Sequence, residues 1–223
     1  MNRTVLIVAA HTDDEALGCG GTIARHVAEG DMVHAVFMAD GVSSRPNVAA
    51  NDLARRMSAA KRAHKTLGFQ RVHYLGLPDN RMDRLPLLDV VQALEAVIQA
   101  VAPQVIYTHH HGDLNIDHRI THQAVITVCR PLPGGAVREI YGFEVLSSTE
   151  WASPQQAPFV PNVFVDISDF LKIKRKALQA YQLEMRPAPH SRSIEHAEHL
   201  ARHRGYTAGV AAAEAFVAIR LVR

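Results

Sequence analysis

The chain alternates between two hydrophobic patterns. Short runs apolar on both faces read as buried parallel strands, and longer stretches with apolar residues every three or four positions read as helices. Residues 4–10 form the first apolar run, and helical spacing over 15–29 follows, with acidic residues in its first turn and Gly30 placed to end it. Strands are predicted at 33–39, 71–75 and 104–108, with helices at 49–67, closed by Gly68, and at 86–101. Helical pattern resumes over 119–129 until Pro131 and Pro133-Gly134-Gly135 break it. Strands at 139–146 and 162–167 come next, then a helix reaching residue 183 with Ser168 as candidate N-cap. A loop with Pro187 and Pro189 leads through His190 into a helix to about residue 203, and residues 213–222 fit either a strand or a helix.

Strands that alternate with helices predict an α/β fold with a mostly parallel sheet sandwiched by helices. Ligands bind such sheets outside the carboxyl ends of the strands. His11, Asp40, Asp79 and the segment 109–118 all follow predicted strands, so the polar clusters converge on one sheet edge. The length, 223 residues, suits a single domain over 1–223.

Composition narrows the picture. The net charge is +2 and no Lys/Arg stripe forms, which argues against a nucleic-acid partner. Two distant cysteines, Cys19 and Cys129, make no disulfide framework and suit a reducing cytoplasm. The start lacks a signal-peptide pattern, and no apolar run reaches the roughly 20 residues of a membrane span. A soluble cytoplasmic protein is expected.

The candidate chemistry begins where the first strand stops, at His11-Thr12-Asp13-Asp14-Glu15. Three adjacent carboxylates repel one another, and a bound cation relieves them. His11 and Asp14 are spaced to share one metal, with a histidine of the strand-four loop as third ligand. Catalytic zinc commonly has three protein ligands and an open position for water. Asp13 is then free to take a proton from that water and return it to a leaving amine. These parts describe hydrolysis of an amide or ester. The plainer alternative is a pair of helix-capping acids beside an ordinary strand-end histidine.

Ala10-His11-Thr12-Asp13-Asp14-Glu15 resembles the Ala-His-Pro-Asp-Asp-Glu signature of the LmbE-like (PIG-L) zinc-dependent N-deacetylases. Asp113-Leu114-Asn115-Ile116-Asp117-His118 resembles their second motif, which ends in Asp-His. The likeness extends through Leu77-Pro78-Asp79-Asn80 towards the C-terminus. It implies a Rossmann-like fold and removal of an acetyl group from an N-acetylated amino sugar or its small conjugate. It also implies one Zn2+ per chain, or Fe2+ in its place, held by His11, Asp14 and His118, with Asp13 as base. Thr12 stands where the family has proline. Asn115 stands where many members have a carbonyl-polarising histidine, and an amide can donate a hydrogen bond but no proton. A late family histidine, which in some members reaches a neighbouring subunit, is matched only loosely by His190-Ser191-Arg192-Ser193. A homo-oligomer is compatible with that likeness. His190 is expected as a substrate or oxyanion contact, and the polarising role falls to Asn115, to one of His109, His110 and His111, or to His190.

Asp117 is expected either to orient a histidine or to cap a helix, and Glu15 to support the helix start. Arg56, Asp79 and Asn80 are candidate sugar contacts, and Trp151 either stacks on a sugar or fills a gap. Glu144 and Glu214 have no assigned place. His196, His199 and His203 share a helix face that reads as solvated. Gly18-Cys19-Gly20-Gly21 lacks the full dinucleotide fingerprint and is read as close helix–sheet packing, with Cys19 in the core. Competing functions are an amidase on a thiol-glycoside or non-sugar amide, and a non-catalytic nucleotide- or metal-binding module.

Overall fold

A computed structural model of the chain describes residues 2–47, 49–153, 155 and 157–223. Seven strands form one sheet: β1 (Thr4–Ala9), β2 (Met32–Ala39), β3 (Arg71–Leu77), β4 (Val105–His109), β5 (Glu139–Phe143), β6 (Val163–Asp166) and β7 (Ala213–Leu221). Their order is β3-β2-β1-β4-β5-β7-β6. The first five are parallel, and β7 runs antiparallel to both β5 and β6. The mostly parallel α/β fold matches the expectation. Six helices cover the sheet: α1 (Asp14–Ala28), α2 (Asp52–Leu67), α3 (Leu87–Val101), α4 (Ile116–Val128), α5 (Leu171–Ala180) and α6 (Ile194–Ala208). Residues of α1, α2, α5 and α6 join one apolar core, and those of α3 and α4 join the other, on the opposite sheet face. No helix among the described residues is long and apolar enough to cross a membrane.

The chain leaves β1 towards β2 and β3 on one side, then returns to place β4 on the other. The β1/β4 boundary is therefore a topological switch point, where the connecting loops diverge and leave a crevice.

Several boundaries differ from the sequence pattern for local reasons. Helix α4 starts at Ile116 rather than 119, because the Asn115 side chain caps it by accepting from Asp117 N at 2.8 Å. Ser168 is not the α5 cap; its hydroxyl is held by Asp166 Oδ1 at 2.6 Å, and α5 begins after Phe170. The ambiguous C-terminal stretch is a strand, because it pairs on both sides, with β5 and β6.

Helix α1 is broken at Cys19, whose φ is −145°. The break frees the Leu17 carbonyl and the Gly21 and Thr22 amides from the helix ladder, and buried orphans of this kind need partners. Lys174 Nζ donates to Leu17 O at 2.7 Å and to Glu214 Oε1 at 2.5 Å. Glu214 accepts from Gly21 N at 3.0 Å and from Thr22 N at 2.7 Å. The small residues here let the helix approach closely: a Cβ on Gly21 would stand 2.7 Å from the Ile167 side chain.

Both Lys174 and Glu214 are 4 % exposed, so neither charge has water to fall back on. Glu214→Gln should therefore lower unfolding stability by about 3–5 kcal/mol in urea denaturation, the usual scale for orphaning a buried ion-pair partner. A change under about 1 kcal/mol would mean that the pair does not support the kink.

Candidate active site

The loop from β1 to α1 carries the first half of the site. Asp13 takes a left-handed φ of 115°, a strained conformation for a residue with a side chain. Its carbonyl starts the helix by accepting from Ala16 N at 3.1 Å and Leu17 N at 3.0 Å. Its own amide donates to Glu15 Oε2 at 2.9 Å. Glu15 is in turn held by the Tyr181 hydroxyl at 2.6 Å and lies 3.4 Å from His64 Nε2. Glu15 thus fixes the strained turn from beneath.

His11, Asp14 and His118 converge, and all three are buried. Asp14 Oδ2 lies 3.3 Å from His11 Nδ1 and 3.4 Å from His118 Nε2. These separations are long for N–H···O hydrogen bonds, whose usual length is about 2.9–3.0 Å. They match the edges of a coordination tetrahedron, since ligand atoms about 2.0–2.2 Å from one ion stand roughly 3.3–3.6 Å apart. Carboxylates also stand close to the outer ring nitrogens, the kind of setting that orients metal-binding histidines. His11 Nε2 lies 3.1 Å from both Asp79 Oδ1 and Asp117 Oδ2. His118 Nδ1 lies 3.1 Å from Asp113 Oδ1. Asp113 is anchored by the Ser148 and Thr149 hydroxyls, and Asp117 by Met82 N at 3.1 Å and Asn80 N at 2.6 Å. The donor set and its surroundings fit a divalent ion.

Asp13 points at no imidazole. Arg56 Nη2 donates to its Oδ1 at 3.1 Å and Arg192 Nη1 to its Oδ2 at 3.0 Å. Burial pushes the Asp13 carboxyl up to about 6, against the pull of Arg56 and Arg192 and with the push of Asp14 and Glu184. Burial also acts on Asp14, but the His118 charge and the bonds from His11 and His118 hold it well below the usual carboxylate range. Burial works against protonation of both rings, yet Asp117, Asp14 and Asp79 raise His11 well above its ordinary value, and Asp14 and Asp113 raise His118 to about 9.

A cavity of about 200 Å3 opens over these groups. Its lining includes His11, Asp13, Asp14, His118, Arg56, Asp79, Asn80 and Asn115, so most sequence candidates meet here. Arg56 is buried, with Nε donating to Thr12 Oγ1 at 2.9 Å and Nη2 to Thr12 O at 2.5 Å. It passes against Gly41, whose φ is 71° and where a Cβ would stand 2.6 Å from Arg56 Nε. Asp79 serves His11 and accepts from the Ser44 hydroxyl at 2.5 Å.

Other candidates lie elsewhere. His190 is exposed, edge-on to Trp151 at 5.6 Å, and does not line the cavity. The chain turns after it and sends Arg192 inward instead. None of His109, His110 and His111 lines the cavity either. His109 accepts from Ala10 N at 2.8 Å and stacks on His118 at 3.9 Å, so it braces that ring from behind. His110 Nε2 donates to Ala157 O at 2.9 Å, and His111 is exposed. Glu144 pairs with Arg204 at 2.8 Å, outside the cavity. Sequence reasoning missed Arg192, Arg45 and Glu184. Arg45 and Arg56 both reach Glu184 Oε1 at 3.0 Å. Only the proximity of Arg192 to the His190 motif hinted at any of them.

Comparison with known proteins gives a consistent setting. Residues 6–129 match the family model described as PIG-L, GlcNAc-PI de-N-acetylase. The uncharacterized deacetylase YaiS of Escherichia coli (strain K12) is 31% identical over 186 residues, covering 81% of this chain and 91% of that protein. The diacetylchitobiose deacetylase of Thermococcus kodakarensis is 26% identical over 193 residues, covering 81% of this chain and 69% of that one. Among solved structures, GalB of Pseudomonas putida KT2440, a 4-carboxy-2-hydroxymuconate hydratase, superposes with a TM-score of 0.77 at 21% identity, covering 99% of this chain and 98% of that one. That last likeness speaks to the fold alone.

The raised imidazoles set a pH dependence. His118 is protonated more readily folded, at about 9, than at its ordinary 6.5. Its contribution to the stability of the metal-free protein is therefore complete below about 6.5 and is lost as pH rises through about 9. A divalent ion must displace such protons. Zinc titration of the metal-free protein at pH 7 should release protons, seen as binding heats that change with the buffer's ionisation enthalpy. Equal heats in all buffers would show that the rings are already neutral.

Proposed function

Because the chain belongs to the PIG-L, GlcNAc-PI de-N-acetylase, family, we propose that it is a zinc-dependent deacetylase. Its substrate would be a small N-acetylated amino-sugar compound, such as a sugar nucleotide or glycoconjugate precursor. The observation that carries this reading is a division of labour between neighbours. Asp14 faces the two imidazoles, whereas Asp13, one residue away, faces none and stays on the cavity wall.

His11 Nδ1, Asp14 Oδ2 and His118 Nε2 would hold the ion. When bound it supplies a Lewis acid that makes water more acidic and an amide carbonyl more electrophilic. Asp13 accepts the proton of the attacking water as its oxygen bonds to the acetamide carbon and the carbonyl π pair moves onto oxygen. The C–N bond then breaks, Asp13 returns the proton to the departing amine, and acetate remains. A carboxyl pushed up to about 6 suits both duties near neutral pH, being ionised enough to accept and acidic enough to donate. The polar wall supports binding of a hydroxylated ligand. Asn80 and Asn115 offer amide groups, and Arg45 with Glu184 adds a charged edge. The family's description and the names of the curated relatives favour an amino sugar over a non-sugar amide. Two imidazoles and one carboxylate also suit Fe2+.

Asp13→Asn should keep about one metal per chain by elemental analysis and lose activity on N-acetyl amino sugars by roughly 10²–10⁴, the usual range for a general acid–base group. Near wild-type acetate release from that variant would sink the mechanism. Chelation should abolish activity and Zn2+ or Fe2+ should restore it. Full activity in a chelated sample with no residual metal would rule out the metal's role.

A further inference from the structure

An acetamide oxygen that becomes anionic needs a preorganised donor. Asn115, which stands at the family's histidine position, is largely committed. Its oxygen caps α4 and its Nδ2 donates to Asn80 Oδ1 at 3.0 Å. Arg56 is equally engaged, with bonds to Thr12, Asp13 and Glu184 on all three guanidinium nitrogens. Arg45 is bound to both Glu184 oxygens at 3.0 Å.

Arg192 differs. We propose that its guanidinium is the oxyanion donor of this enzyme, a role that rests on the hydrolytic reading above. Its Nη1 holds Asp13 Oδ2 at 3.0 Å and its Nε donates to Ser147 Oγ at 2.8 Å. Its Nη2 has no hydrogen-bond partner among the described residues, although Arg192 lines the cavity with its side chain 22% exposed. A guanidinium is a planar fork with fixed donor directions, so two tethered nitrogens fix where the third lies. The backbone is fixed too. Arg192 O accepts from Arg186 N at 3.1 Å, and Ser193, the next residue, caps α6 by accepting from His196 N at 3.0 Å. The same side chain therefore sits on the base and keeps unspent N–H groups at the cavity wall. A charged donor is roughly twice as strong as a neutral amide. Arg192 keeps all its protons throughout; it stabilises the charge that the carbonyl π pair places on oxygen, and Asp13 alone moves the proton.

The test compares wild type, Arg192→Ala and Arg192→Lys, each loaded with Zn2+, on a panel of N-acetyl amino sugars. Metal content and melting temperature are measured alongside. The expected result is a fall in kcat of roughly 10²–10³ for Arg192→Ala, the scale of losing one oxyanion donor. KM should change little. Added guanidinium at millimolar concentration should restore at least about tenfold of the lost rate in Arg192→Ala and nothing in wild type, because the fork itself is being replaced. Arg192→Lys, which keeps the charge without the fork, should fall between the two. A kcat within threefold of wild type, a loss confined to KM, or a loss in a folded, metal-loaded variant that guanidinium does not touch would each overturn the assignment. If Arg192→Ala does not fold, Arg192→Lys decides: full activity there overturns it. A zinc-loaded wild type that releases acetate from nothing in the panel would overturn the hydrolytic reading itself, a result distinct from any of these.

Discussion

Negative charge crowded into one turn governs the rest of the structure. Between β1 and α1 the chain places Asp13, Asp14 and Glu15 together, each 1 % exposed or less. Buried carboxylates this close must be paired or protonated. The fold answers each separately. Asp14 faces His11 and His118, Asp13 faces Arg56 and Arg192, and Glu15 takes the Asp13 amide and the Tyr181 hydroxyl. Outside the imidazoles a second rank of carboxylates, Asp79, Asp113 and Asp117, completes an alternating pattern of charge.

That arrangement is anchored by the sheet. The two loops that meet at Asp14 leave β1 and β4, which are adjacent and parallel, at the point where the connections diverge. A strained Asp13 at φ 115° persists because the turn is held from several sides by groups with no freedom of their own. The likeness to a hydratase shows that this scaffold accommodates other reactions. What points to deacetylation here is the family and the chemistry of the side chains at the crevice, not the sheet.

Much of this was legible in the residues. The apolar runs marked β1, β2, β4 and β5, because a strand covered on both faces must be apolar on both. The edge strands β3 and β6 have no fully buried residue, yet their short runs were also read as strands. Only β7 was ambiguous, with a helix-compatible composition that its two antiparallel partners resolve. His11 and Asp14 were legible as a pair from their spacing after the first strand, with a histidine of the strand-four loop as third partner, and the family resemblance singled out His118. His190 and Arg192 show the limit of that approach. Both lie in one short loop, and a motif comparison favours the histidine. Side-chain direction is decided by the turn geometry and by Ser147 and Asp13 across the cavity, which no local pattern encodes.

The sequence by itself determined the fold class, the strand-end location of the polar clusters, and the separation of one acid that faces histidines from a neighbour that does not. These follow from periodicity and spacing, which are local. The tertiary structure alone decided which distant groups answer each charge: Tyr181 and His64 beneath Glu15, Lys174 and Glu214 at the α1 break, and Arg192 rather than His190 beside Asp13. The partners of a buried charge are chosen by proximity in space, and residues 13 and 192 become neighbours only once the sheet has brought their loops to one edge.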